Sequence, residues 1–210
     1  MANTKYDIAI YDYIIIGGGT SGAVAARRLA EGKDHYNVCL LEAGPSNEGL
    51  DNSRMPGGVS TLLQESALSW GYDTVPQKGC NNRVLTAIRG RFLGGCSGLN
   101  GTVIARGVKA DYDRIVDMGN PGWSWDDMLP YFKASETFHP AAWHQADLAA
   151  HGTNGPLHTE PHPLAPISEK ILESFIDRGF EYKPDMFVQG EYEGLLCSYY
   201  TIKYIDIRFL

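Results

Sequence analysis

The chain has 210 residues, of which 43% are hydrophobic and 20% are charged, and its formal net charge at pH 7 is −7. This composition is typical of a globular protein, and the length allows one domain or two. The acidic balance argues against nucleic acid or an anionic membrane as a partner, and no apolar run approaches the roughly twenty residues of a spanning helix.

The first ten residues carry neither a basic start nor a long apolar stretch. No signal peptide is therefore predicted, and a cytoplasmic location is the default expectation. The four cysteines, at positions 39, 80, 96 and 197, form no C-x-x-C pair. Their spacing predicts neither a disulfide framework nor a zinc site.

The first predicted element is an apolar, β-branched strand, Tyr13–Ile16, which leads into a G-x-G-x-x-G turn formed by Gly17, Gly19 and Gly22. A helix-forming segment follows at residues 23–31. A strand, this turn and a helix form a dinucleotide-binding fingerprint, in which the helix N-terminus holds a pyrophosphate. The turn by itself also fits a simple glycine-rich loop, so its setting carries the prediction.

The second predicted strand is Val38–Leu41, an apolar run of the kind that is buried in parallel sheets. Glu42 follows it, 20 residues after Gly22, where a carboxylate can accept hydrogen bonds from the ribose hydroxyls of an adenosine. Neither Ala43 nor Gly44 is basic, which disfavours a cofactor with a 2′-phosphate. FAD and NAD both remain, because they present the same ADP half.

A second glycine cluster follows a predicted strand at residues 84–88. Residues 89–102 contain five glycines together with Phe92, Leu93 and Leu99. A merely flexible loop is the alternative, but such loops are rich in serine and asparagine rather than large apolar residues. The cluster therefore favours a backbone that lies against a flat ligand.

The remaining elements are predicted from periodicity. Residues 111–132 indicate two helices separated by Pro121 and Gly122, with Ser124 or Asp126 as the cap of the second. A strand is predicted at residues 156–159 and an amphipathic helix at 167–176. Residues 195–210 are dense in aromatic and β-branched types, which predicts an aggregation-prone strand without a partner.

Histidines cluster in the second half of the chain, where five of the six fall within 24 residues. Metal binding is the interpretation to weigh, but prolines adjoin two of them and no H-x-x-x-H pair lies on a convincing helix. We therefore predict no metal site. The five are His139, His144, His151, His158 and His162.

These residues resemble the glucose-methanol-choline (GMC) flavoprotein oxidoreductases. Residues 12–19 are similar to the family's opening, residues 41–44 to its ribose-binding strand end, and residues 90–107 to its first signature. Cys96 and Ile104 depart from that signature. The resemblance spans about residues 11–194 and includes further matches at residues 70–72, 121–125, 129–132 and 152–157.

The resemblance implies which residues bind FAD. Gly17, Gly19, Thr20, Ser21 and Gly22 would hold the pyrophosphate, and Glu42 and Ala43 the adenosine. The isoalloxazine side would be lined by Gly95, Cys96, Asn100, Gly101, Thr102 and Val103. The family's catalytic histidine, with its neighbouring histidine or asparagine, lies near the end of much longer chains, so no catalytic residue is assigned here.

The implied fold is α/β, with a Rossmann-like FAD-binding portion at residues 1–110, a helical connection and the start of an α+β substrate domain at 111–194, and an anomalous tail at 195–210. The implied activity is hydride transfer from an alcohol-like CH–OH donor, a small molecule, to the flavin. Alternatives are an inactive FAD-binding fragment, a chain that does not fold independently, and a lyase or photodecarboxylase.

The tail also suggests that the chain is a truncated product whose coding sequence runs into unspliced or frameshifted sequence near Gly194. A genuine short isoform with a novel last strand is the alternative.

Overall fold

The computed structural model describes residues 9–55, 58–62, 66–195 and 199–201. Its contacts divide the chain into two compact units, with the boundary between Gly101 and Thr102. Within the described residues, no helix combines the length and the apolar character needed to cross a membrane.

The first unit begins with a βαβ arrangement. β1 (Tyr13–Ile16) pairs in parallel with β2 (Val38–Leu41), with Tyr13 opposite Val38. α1 (Thr20–Ala30) connects them and packs on both strands. The α/β fold class and both predicted strands are confirmed, whereas the helix begins three residues earlier than expected because Gly19 serves as its N-cap.

Shorter elements complete the first unit. α2 (Val59–Leu62) is a single turn, and β3 (Tyr72–Asp73) pairs antiparallel with β4 (Thr86–Ala87). The strand predicted at residues 84–88 is therefore reduced to two residues. Three-residue or four-residue 3₁₀ turns lie at Asp51–Arg54, Ser66–Leu68, Lys78–Cys80 and Gly95–Gly98.

The core of the first unit contains residues of the second glycine cluster. Phe92 is completely buried and packs with Leu62, Leu68 and Leu99, and Leu50 packs against this group. Burial of a large side chain stabilises a fold by about 1.5–3 kcal/mol. The apolar residues between the glycines therefore anchor this segment to the core.

The second unit is built on a four-stranded sheet with the order β5-β8-β7-β6. β8 pairs antiparallel with both β5 and β7, and β6 pairs in parallel with β7. The predicted strand at 156–159 is confirmed as β7. The strands are β5 (Val103–Ile104), β6 (Glu136–Phe138), β7 (Leu157–Pro161) and β8 (Tyr199–Thr201).

The prediction of a tail strand without a partner was wrong for the part of the tail that the structure describes. β8 lies between two strands and forms backbone pairs on both sides. Leu195 also forms a bridge with Tyr182. The rest of the tail, residues 196–198 and 202–210, lies outside the described residues.

The helices of the second unit lie between its strands in the sequence. Ser124 caps α4 with a capping box, because its hydroxyl accepts from the Asp127 N–H and the Asp127 carboxylate accepts from the Ser124 N–H. The predicted Ser124 cap is thus confirmed, and Asp126 lies in the first turn. The helices are α3 (Lys109–Asp117), α4 (Trp125–Ser135) and α5 (Pro166–Ile176).

Candidate functional site

The turn between β1 and α1 has the form that a pyrophosphate site requires. A side chain on Gly22 would collide with the carbonyl oxygen of Gly17, so only glycine allows the helix to approach the turn this closely. Thr20 and Ser21 are exposed in the first turn of α1, which contains no acidic residue. The backbone N–H groups and the positive end of the helix are therefore available to an anion.

Glu42 connects the end of β2 to this turn. Its Oε2 accepts a hydrogen bond of 2.7 Å from the Gly18 N–H, and its Oε1 accepts one of 2.9 Å from the Gly44 N–H. Each carboxylate oxygen has two lone pairs, so capacity remains for ribose hydroxyls. Ala43, the other residue predicted to hold the adenosine, is exposed beside it.

The two glycine-rich segments are in direct contact. The Gly94 N–H donates to the Gly18 carbonyl at 2.8 Å, and the Leu93 N–H donates to the Pro45 carbonyl at 3.0 Å. Gly95 has a φ of +52°, and a Cβ there would lie 2.8 Å from the Cα of Gly19. The structure therefore brings together two segments that the sequence assigned separately to a ligand.

The residues predicted to line the isoalloxazine side belong to different units, four to the first and two to the second. In the first unit Gly95 is buried, whereas Cys96, Asn100 and Gly101 are exposed. Thr102 opens the second unit with a φ of +63°, and Val103 begins β5 and is 56% exposed.

The second unit has a cavity of ≈ 250 Å³, which Val103 and Arg106 line together with Phe132 and Leu157. Val103, a predicted flavin contact, therefore faces a space within its own unit.

Arg91 is a candidate that sequence reasoning missed. Its guanidinium lies 5.3 Å from the centre of the Trp70 ring, and its buried Nε has no hydrogen-bond partner in the structure. It stands two residues before Leu93 in the second glycine cluster, and an uncompensated buried donor on a cation suits an anionic ligand. The signal available in the sequence was a basic residue between Gly90 and Phe92 inside the second glycine cluster.

A second cluster of polar residues is buried in the second unit. Arg106 donates to Glu136 at 2.8 Å and to the carbonyls of Ala150 and Val188, while both side chains of the ion pair are over 90% buried. His151 contacts Glu136 through Nδ1 at 2.9 Å and Asp185 through Nε2 at 3.2 Å. We call Arg106, Glu136, His151 and Asp185 the Arg106 cluster. The pairing of every charge within it stabilises the cluster.

The Arg106 cluster shifts two pKa values in opposite directions. Burial raises the pKa of Glu136, but hydrogen bonds from His151, the Gly152 N–H and Thr159 outweigh it and hold the pKa below 4.5. Burial lowers the pKa of His151, but hydrogen bonds to Asp185 and Glu136 outweigh it and raise the pKa above 6.5. His151 is therefore favoured as an imidazolium that donates from both nitrogens.

The five histidines that lie close together in the sequence do not form one metal-binding cluster in the structure. His139 Nε2 lies 2.7 Å from His158 Nδ1 at the surface, while His144 and His151 are buried. No group of three or more potential metal ligands occurs within residues 9–55, 58–62, 66–195 and 199–201.

Comparison with known proteins supports FAD as the cofactor of this chain's family. The family model of the GMC oxidoreductases, covering their N-terminal region, matches residues 11–199. Dehydrogenase str4 of Strobilurus tenacellus is 41% identical over 180 residues, which are 83% of this chain and 29% of that protein. An oxygen-dependent choline dehydrogenase of Photobacterium profundum is 38% identical over 91% of this chain and 33% of that protein.

A solved structure shows the same fold. The FAD-dependent oxidoreductase of Chaetomium thermophilum superposes with a TM-score of 0.83 at 36% identity, over 92% of this chain and 34% of that one. The chain thus spans about a third of the length of the relatives that it matches.

Proposed function

Because the chain belongs to the GMC oxidoreductase family, we propose that it carries the FAD-binding part of an enzyme that takes a hydride from an alcohol-like CH–OH donor. FAD is the cofactor of this fold. When bound, FAD supplies the electron-accepting ring. The named choline dehydrogenase supports an alcohol as the donor.

The observation that carries the proposal is the contact between the two glycine-rich segments beside the start of α1. Gly94 donates to Gly18, and Gly18 in turn donates to Glu42. These hydrogen bonds connect the start of α1, Glu42 and the second glycine segment within one unit, and this arrangement supports the proposal.

Each residue has a distinct task in holding FAD. The N–H groups of α1 and the hydroxyls of Thr20 and Ser21 bind the pyrophosphate, where negative charge is favoured by the helix end. Glu42 accepts from the ribose, and Ala43 lies beside the adenosine. From the first unit, Gly95, Cys96, Asn100 and Gly101 flank the isoalloxazine.

FAD binding is tested by incubating the 210-residue chain with FAD, removing the free cofactor by gel filtration and recording the visible spectrum. We expect a retained flavin band at about one FAD per chain. A chain that is folded by circular dichroism but elutes without flavin would contradict the proposal.

A matched pair of variants tests the phosphate site. Ser21→Glu places a negative charge in the first turn of α1, where it repels the pyrophosphate but favours the helix dipole. Ser21→Gln has nearly the same size without the charge. We expect Ser21→Glu to lose FAD and keep its melting temperature, and Ser21→Gln, which loses only the hydroxyl contact, to bind FAD more weakly than the unsubstituted chain but more tightly than Ser21→Glu.

Turnover is tested separately by adding alcohols anaerobically to the FAD-loaded chain. Bleaching of the flavin band by an alcohol is the result expected of an oxidoreductase. A bound flavin that no alcohol reduces would favour a binding-only chain, in keeping with the absence of an assigned catalytic residue among these 210 residues, and would leave the FAD assignment intact.

A further inference from the structure

We propose that His139 and His158 form a two-histidine site for a divalent late first-row transition ion, such as Zn²⁺, on the surface of the second unit. The two imidazole nitrogens, Nε2 of His139 and Nδ1 of His158, lie 2.7 Å apart at the protein surface. The site is independent of the FAD site and of the proposed oxidation.

The separation of the two nitrogens is close to that of a chelating pair. Two nitrogens bound to one tetrahedral zinc at about 2.0–2.1 Å lie roughly 3.3 Å apart, so these two need to separate by roughly 0.6 Å. His139 is exposed and His158 is half-buried, and rotations of the two rings supply this change. The nitrogen that donates in the inter-ring hydrogen bond gives its proton to water while the other nitrogen of the same ring gains one, and the two facing nitrogens then each bind the metal through a free lone pair.

The backbone under the pair is fixed. Thr137 is the register partner of His158 in the parallel β6–β7 pair, and the His139 N–H donates to the Thr159 carbonyl at 2.8 Å. β7 is also paired with β8 on its other side. A site built on paired strands holds its ligands more precisely than one on a loop, so little conformational entropy is lost on binding.

The chemistry of the pair selects the class of ion. Neutral imidazole suits Zn²⁺, Cu²⁺ and Ni²⁺, whereas Mg²⁺ and Ca²⁺ prefer oxygen ligands. Glu160 is exposed and lies two residues after His158, on the same face of β7, where its carboxylate adds favourable charge for a cation. Water would complete the coordination sphere.

The site is tested by titrating the 210-residue chain with Zn²⁺ in isothermal titration calorimetry. Competition with a chromophoric chelator, followed by absorbance, measures the same affinity. We expect one ion per chain, and a loss of affinity of at least tenfold in either His139→Gln or His158→Gln. Because a ligating imidazole must be deprotonated, affinity must also fall as the pH is lowered.

His162→Gln is the matched control, because His162 is also exposed and lies four residues after His158. We expect it to change the affinity less than twofold. Equal weakening by His162→Gln, or no binding by the unsubstituted chain, would overturn the proposal. Electron paramagnetic resonance of the Cu²⁺ form is a second readout: coupling to two nitrogens is expected, and coupling to none would overturn it.

Discussion

The backbone N–H of Gly18 donates a hydrogen bond of 2.7 Å to Oε2 of Glu42, across 24 residues of sequence. The acid that follows β2 therefore reaches back to the turn that follows β1. It has two tasks in the proposed site: it holds the glycine turn in place, and it accepts from the ribose.

Glu42→Gln is expected to weaken FAD binding by at least tenfold, about 1.4 kcal/mol. Glutamine keeps one acceptor oxygen, but its amide nitrogen then faces the N–H of Gly18 or Gly44, and two donors oppose each other. Fluorescence titration of FAD measures the effect. The control is Glu48→Gln, which removes the same charge from an exposed position nearby, and equal affinities for both variants would contradict the assigned role.

Gly95→Ala is expected to destabilise the first unit by at least about 1–2 kcal/mol, the cost of a left-handed conformation for a residue with a Cβ. The added methyl group would also lie 2.8 Å from the Cα of Gly19. Gly79→Ala is the control, because a Cβ there meets nothing within 4 Å and its φ is not positive. Thermal unfolding compares the two, and equal melting temperatures would show that the contact between the glycine segments contributes nothing.

Arg106→Ala is expected to destabilise the second unit by about 3–5 kcal/mol, because it removes one of the two cations paired with the buried Glu136 carboxylate. Lys109→Ala removes an exposed ion pair with Asp126, at 3.2 Å, and is expected to cost less than about 1 kcal/mol. Urea unfolding of both variants measures the difference. Similar losses of unfolding free energy in the two variants would mean that burial of the Arg106 cluster does not determine its contribution to stability.

The stability of the second unit is expected to depend on pH through His151 and Glu136. The pKa of His151 is raised from 6.5, so its contribution is present below pH 6.5 and is lost as the pH rises through the raised value. The pKa of Glu136 is lowered from 4.5, so its contribution is present above pH 4.5 and is lost as the pH falls through the lowered value. Both contributions are complete between these two pH values.

The contribution of His144 to stability has the opposite pH dependence to that of His151. Burial lowers its pKa from 6.5, so its contribution is present above pH 6.5 and is lost as the pH falls. The test therefore compares the free energy of unfolding of the unsubstituted chain with that of His151→Gln. The measurements run from about pH 5 to about pH 9, which includes the range over which a histidine titrates. The difference should shrink as the pH rises, and a constant difference would contradict the prediction.

Local pattern was sufficient for the βαβ start and for the cap of α4. β2 was predicted with its observed bounds because its apolar run is short and is followed at once by Glu42. Ser124 was recognised because a hydroxyl before an acidic first turn is a local signal. The glycine segments were each identified, but their contact is a property of the fold, since Gly18 and Gly94 lie far apart in sequence.

Long-range partners explain what the sequence did not reveal. β6 was missed because Glu136 places a charge inside a strand, and its burial is tolerable through partners distant in sequence, such as Arg106, 30 residues earlier, and His151. The tail strand was judged unpaired because β5 and β7 lie far from it in sequence. No local signal separates exposed aromatic residues from packed ones in this region: Trp123 and Tyr131 are 52% and 70% exposed, whereas Trp125 and Phe132 pack with Tyr112.

The position of β8 between β5 and β7 has a consequence for how the second unit is made. During synthesis, β5, β6 and β7 are complete before residues 199–201 are added, so the sheet cannot close in the order in which its strands appear. Pairing of Val103 with Tyr200 closes a loop of nearly a hundred residues, which makes such folding slow. Until then two strand edges are open to wrong partners, and a chaperone that shields them would raise the yield of folded chain.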